Sequence, residues 1–103
     1  SSEEIESLLL ACPGVREAAV VGVPDEVLGE RLCACVVSAD AAAPVSLDAI
    51  VAFLREHKRV AVYKLPEYLL PLAELPRNPV GKVLKRELRQ RARALAEPAG
   101  AAA

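Results

Sequence analysis

A chain of 103 residues, 53% hydrophobic and 26% charged, can build one modest core and is too apolar for a disordered segment. Phe53, Tyr63 and Tyr68 are its only aromatic residues, so Leu, Val, Ile and Ala must fill the interior. No apolar run approaches the roughly 20 residues of a membrane span, and the acidic start Ser1-Ser2-Glu3-Glu4 lacks the basic and apolar regions of a signal peptide. A cytoplasmic protein without a membrane span is expected.

Ser1-Ser2 can cap a helix running from Glu3 to about Ala11, with Ile5, Leu8 and Leu9 on one face. The acids of its first turn suit the positive end of the helix dipole, and Pro13-Gly14 stops it. Val15 to Val23 is β-branched and Ala-rich with no helical period, and reads as a largely buried strand. Pro24 to Glu30 is a polar loop, and Arg31 to Ser38 is a second strand, close enough to be the antiparallel neighbour of the first. On that strand Cys33 and Cys35 flank Ala34 and face one side. With Cys12 they make an odd number without metal-ligand spacing, and His57 is the single histidine. Reduced thiols in the core are expected, and no metal site.

After a small-residue loop from Ala39 to Val45, Ser46 caps a second helix to about Lys58, with Leu47, Ile50, Val51 and Leu54 at helical spacing. His57 falls in its polar last turn. Pro66 breaks the chain again, and Glu67 to Leu72 is a short apolar strand whose Pro71 implies an edge or a bulge. Pro76 to Val83, with two prolines and a glycine, must turn and suits a small hairpin. A basic helix follows from Leu84 to about Leu95. Residues 1–96 are thus expected as one domain and 97–103 as a disordered tail. The order α-β-β-α-β-turn-α implies an α+β fold: a small, mainly antiparallel sheet of about three strands plus a short hairpin, packed against about three helices.

The net charge of −1 hides an asymmetry. From Ser1 to Glu30, Glu3, Glu4, Glu6, Glu17, Asp25, Glu26 and Glu30 face Arg16 alone. Arg77, Lys82, Lys85, Arg86, Arg89, Arg91 and Arg93 face Glu87 alone near its end. Such a basic end could meet a polyanion or form a solvated helix face. Nucleic acid is not the expected partner, because few aromatics are available to stack on bases.

The Gly81-Lys82 pair invites comparison with a phosphate-cradling P-loop. That loop needs Gly where Pro76 stands and Ser or Thr where Val83 stands, so the reading fails. What remains is a lysine on a Pro-bounded turn, preceded by a glycine that permits positive φ. Its ammonium could sit between two developing negative charges, as phosphoryl or adenylyl transfer requires, or could be one more surface lysine.

Pro76-Arg77-Asn78-Pro79-Val80-Gly81-Lys82-Val83-Leu84-Lys85-Arg86 resembles the last core motif of the adenylate-forming superfamily of acyl-CoA synthetases, peptide-synthetase adenylation domains and luciferases. Glu4-Ile5-Glu6 is similar to the helix that opens the C-terminal domain of that family. The run from Pro13 to Asp25, with Gly29-Glu30, resembles its first strand and loop, and Tyr63-Lys64-Leu65-Pro66 the step before its third strand. The four segments keep their order over Glu3 to Arg93, nearly the whole chain.

The resemblance implies a C-terminal lid domain of an ATP-dependent carboxylic acid–CoA ligase. In such enzymes a carboxylate attacks the α-phosphorus of ATP, pyrophosphate leaves and an acyl-adenylate forms. Lys82 is then the catalytic residue, carried on a loop with Gly81 and Pro79 close to substrate and ATP. The domain is expected to rotate afterwards for thioester formation. Lys85, Arg86, Arg89, Gly22, Asp25 and Gly29 become candidates for contacts with CoA or between domains, or remain solvated and structural. Lys85 stands where the family commonly has arginine, which puts a phosphate-binding role there in doubt. Tyr63 and Lys64 are expected at a domain interface.

ATP with Mg, CoA and the carboxylic acid belong to the full enzyme, with none held by this domain alone. The partner is a large N-terminal adenylation domain that precedes it. The fragment by itself is expected to be inactive. The alternatives are a standalone module that docks on a separate adenylating partner, or part of a peptide-synthetase adenylation domain.

Overall fold

The structure, a computed structural model, describes residues 2–97. Of the tail expected to be disordered, all but Glu97 lies outside the described residues. Helix α1 (Ser2–Leu9) leads into strands β1 (Val15–Asp25) and β2 (Gly29–Ser38). Helix α2 (Leu47–Glu56) and a 3-10 turn (Val62–Lys64) precede β3 (Tyr68–Leu72), and α3 (Lys85–Ala96) follows the lysine turn.

Strand order is β1-β2-β3. β1 and β2 are antiparallel, from Val15 opposite Ser38 to Asp25 opposite Gly29. β3 pairs in parallel with β2, from Cys33 opposite Tyr68 to Val37 opposite Leu72. The α+β class with three helices and a small sheet therefore stands, but the sheet is mixed. The cause is the connection: α2 carries the chain back to the starting end of β2, and a helical crossover of that kind delivers a parallel strand.

Strand alternation sends side chains to two faces, and helices cover both. Ala19, Val21 and Val23 of β1, Cys33, Cys35 and Val37 of β2 and Leu70 of β3 pack with Leu88 and Ala92 of α3. On the opposite face Val20, Ala34 and Val36 meet Ile5 and Leu9 of α1 and Ile50 and Leu54 of α2. Leu88 has 0% exposure, so its burial contributes roughly 1.5–3 kcal/mol and anchors the helix that follows the lysine turn. Cys33 and Cys35 do face one side as free, buried thiols. The Cys33 sulfur beside it, together with burial, pushes the Cys35 thiol up and keeps it protonated.

A register shift between Val15 and Glu17 makes Arg16 an extra residue in β1. Val15 consequently joins the α1–α2 face, whereas Glu17 stands opposite Val37 on the α3 face.

Local caps behave as side-chain chemistry dictates. Ser46 Oγ accepts from the Ala49 N–H at 3.1 Å. His57 is the C-cap residue of α2, its N–H donating to the Phe53 carbonyl at 2.9 Å. The helix stops before the expected Lys58, and Arg59 takes a left-handed φ of 54° just beyond it.

Both sheet edges are managed. Pro71 sits on β3, an edge strand, as the proline implied. On the other edge the Val20 N–H donates to Glu6 Oε2 at 2.8 Å, and the same oxygen lies 2.6 Å from Lys85 Nζ. Pro24, near the end of β1, has no N–H to offer.

Candidate functional site

Residues 76–84 form a turn closed at its base by Leu84 N–H to the Pro76 carbonyl, 2.8 Å. Arg77 and Val83 bridge in antiparallel fashion, so the turn is a minimal hairpin. Inside it Asn78 acts as the organiser. Its Oδ1 accepts from the N–H of Val80 at 3.1 Å and of Lys82 at 2.9 Å. Its backbone N–H donates to the Lys82 carbonyl and its carbonyl accepts from Gly81, each at 2.9 Å. An Asn side chain that mimics backbone in this way is a familiar device of tight turns.

Gly81 adopts φ +93°, with nothing within 4 Å of where a Cβ would sit. Glycine is thus required by backbone conformation and not by crowding. Val80 beside it is 88% exposed, and Lys82 is exposed with no ion-pair partner among the described residues. The result is one cation on a long stem, held at the tip of a turn braced from within by Asn78 and by backbone bonds.

Lys82 shares a groove of about 630 Å³ with Lys85, Arg86 and Arg89, bounded by Asn78, Glu3 and Glu6. A second groove of about 470 Å³ joins Gly22, Glu30, Tyr63 and Lys64 to Lys85 and Arg89. Lys85 and Arg89 therefore connect the two. Lys85 is engaged by Glu6, whereas Lys82, Arg86 and Arg89 have no ion-pair partner among the described residues. Among the described residues no cluster of His, Cys, Asp and Glu could hold a metal ion, and no helix is long and apolar enough to cross a membrane.

Asp25 and Gly29 lie apart from both grooves, at the tip of the β1–β2 hairpin. Asp25 accepts from the N–H of Leu28 at 2.7 Å, of Val27 at 3.1 Å and from Arg31 Nε at 2.8 Å. Gly29 has φ +82° with open space around it. These bonds extend both strands beyond Val23 and Arg31, into the segment expected as a loop. Gly22 differs: a Cβ there would lie 2.1 Å from the Glu30 carboxylate, which folds over the glycine.

The Arg31 guanidinium and the Leu28 N–H hold the Asp25 carboxyl below its ordinary value of 3.8. A depressed folded value contributes stability that is present above the unfolded value and lost as pH falls through the folded one. Asp25→Asn should therefore flatten the acid limb of the chain's pH–stability curve below pH 3.8. Parallel acid limbs in the two proteins would refute this role.

The sequence pointed to Lys82, Gly81 and Pro79, but gave Asn78 no role and Arg77, Glu6 and Glu17 no partner within the fold. Asn78 had a readable signal, an Asn two residues into a Pro-bounded turn. The partners of Arg77 and Lys85 lie far off in the sequence and carried none.

The family model for the AMP-binding enzyme C-terminal domain matches residues 4–82, from Glu4 in α1 to the lysine itself. The chain belongs to that family. This AMP-binding C-terminal domain is 48% identical over 89 residues to triostin synthetase I of Streptomyces triostinicus, covering 86% of the chain and 16% of that protein. It is 46% identical over 90 residues to the medium-chain fatty-acid–CoA ligase of Escherichia coli K12, covering 87% of the chain and 16% of the ligase. Among solved structures, apo MatB from Rhodopseudomonas palustris superposes with a TM-score of 0.82 at 36% identity, covering 93% of the chain and 19% of MatB. The domain thus spans under a fifth of the length of these relatives.

Proposed function

We propose that this domain is the mobile C-terminal part of an ATP-dependent carboxylic acid–CoA ligase, and that Lys82 is its catalytic residue for acyl-adenylate formation. One observation supports this above the rest: an ammonium with no ion-pair partner among the described residues stands at the tip of a turn braced from within, at the end of the segment matched by the family. A positive charge held in place before reaction stabilises charge that develops at the carboxylate and α-phosphate without reorganising at that moment. It also fixes the line of attack.

In this reading ATP, Mg, CoA and the acid are bound chiefly by a large N-terminal domain, in a cytoplasmic enzyme. Gly81 and Pro79 shape the loop next to the substrates. After adenylation the domain rotates, withdraws Lys82 and offers another surface for thioester formation, with Arg86, Arg89 and Gly22 as candidate CoA or interdomain contacts. Exposure of the lysine tip suits a group that is needed once and then removed.

The direct test is the mass of the native polypeptide, detected in source extract with an antibody against this domain. A band several times larger than 10.9 kDa is expected. A band at 10.9 kDa would overturn the single-chain ligase and favour a separate docking module.

A further inference from the structure

The turn that carries Lys82 is rigid within itself, but rigidity does not aim it. Among the described residues, the backbone bonds of residues 78–82 are made among themselves, apart from one. No apolar side chain at the tip itself pins it: Val80 is exposed, and a Cβ on Gly81 would meet nothing within 4 Å. The exception is the Gly81 carbonyl, which accepts from Arg77 Nη1 at 2.7 Å. The other arm of the same guanidinium, Nη2, donates to Glu17 Oε1 at 2.8 Å. Glu17 is itself held at the β1 bulge, where Arg16 Nε lies 3.8 Å from its second oxygen.

We propose that Arg77 is a positioning residue, its forked guanidinium tying the tip that carries Lys82 to Glu17 on the sheet. The proposal rests on the reading of Lys82 as the adenylation lysine. The residue types fit the task. A guanidinium presents several donors in a fixed plane and can serve a carbonyl and a carboxylate together, whereas a lysine ammonium is a point charge on a flexible stem. Glu17 is a suitable anchor because its strand is locked into the sheet, opposite Val37 with 2% exposure. Val83 seats the base of the hairpin on the core, so without the link the hairpin keeps its internal bonds and its footing while the tip beyond Val83 is free to tilt. A displacement of 1 Å at a reacting group costs on the order of 10²-fold in rate.

The test uses the intact ligase that carries this chain, with Arg77→Met, Arg77→Lys, Glu17→Gln and Lys82→Ala compared in both half-reactions. Arg77→Met should lower kcat for adenylation by roughly 10–100-fold with KM for ATP nearly unchanged. Thioester formation from supplied acyl-adenylate should stay within about two-fold. Glu17→Gln should fall part of the way, and Arg77→Lys should recover part of the loss. Because an exposed ion pair adds little to global stability, the melting temperature should hardly move. Hydrogen exchange at the Lys82 amide should stay unchanged in Arg77→Met, because its bond to Asn78 Oδ1 lies within the hairpin and moves with it.

Loss of both half-reactions together with a drop in Tm would make Arg77 merely structural and overturn the proposal. Unchanged adenylation in Arg77→Met, beside a crippled Lys82→Ala, would overturn it while the reading of Lys82 stood. An active Lys82→Ala would overturn that reading and the proposal with it.

Discussion

In the intact ligase, Lys82→Ala should slow acyl-adenylate formation by about 10²–10³-fold, the usual loss when one preorganised charge or donor is removed from a transition state. Thioester formation from supplied acyl-adenylate should change by no more than about three-fold. The asymmetry follows from geometry. Lys82 is exposed and makes no ion pair among the described residues. Truncating it leaves the Asn78-centred turn intact, because both bonds it makes there use its backbone. Its ammonium can therefore matter only to what approaches the tip. Acid-dependent exchange of pyrophosphate into ATP reads the first step, and mixing enzyme with acyl-adenylate and CoA reads the second. Equal losses in both would mean that the lysine supports the domain and does not meet the reacting groups.

Gly81→Ala is expected to be the next most damaging change for adenylation, by about ten-fold or more, although it adds a single methyl into open space. The loss comes from the backbone. At φ +93° an L-residue is strained by roughly 1–3 kcal/mol, and the turn relieves that strain by rotating the peptide plane next to Lys82. Rotation would also break the Arg77 link, since that link ends on the Gly81 carbonyl.

Gly14→Ala supplies a matched comparison. Its φ is +88°, and its nearest neighbours would be Val45 side-chain atoms at 3.8 Å and 3.9 Å, an ordinary contact. Both variants should lose similar stability in urea melts, but only Gly81→Ala should lose adenylation. If Gly14→Ala were equally inactive, loss of stability alone would explain both.

Much of the fold was legible because it is written in short-range chemistry. The Ser46 cap, the shared face of Cys33 and Cys35 and the edge placement of Pro71 each follow from residues a few positions apart. The turn around Gly81 was legible for the same reason. The direction of β3 was not, because it depends on where α2 delivers the chain and no residue of Tyr68–Leu72 encodes that. The hairpin ran longer than expected because Asp25, the Leu28 N–H and Arg31 close it from within. Least legible was what aims the lysine. Arg77 and Glu17 are 60 residues apart, and an acid on a strand gives no hint of which distant cation it will meet.

The contact between Glu6 and Val20 has a consequence for solubility. A domain that parts from a larger neighbour during its working cycle would expose the rim of its sheet each time, and a bare rim invites other chains to add on. Here a carboxylate occupies the Val20 amide, Lys85 secures that carboxylate, and Pro24 removes a further donor. At these two positions the rim offers no free amide to a foreign strand, which the motion proposed above would otherwise leave open to pairing. The same acid that guards it also fastens the first turn of α3, three residues beyond Lys82, so keeping the protein monodisperse and keeping its working end in place depend on one side chain.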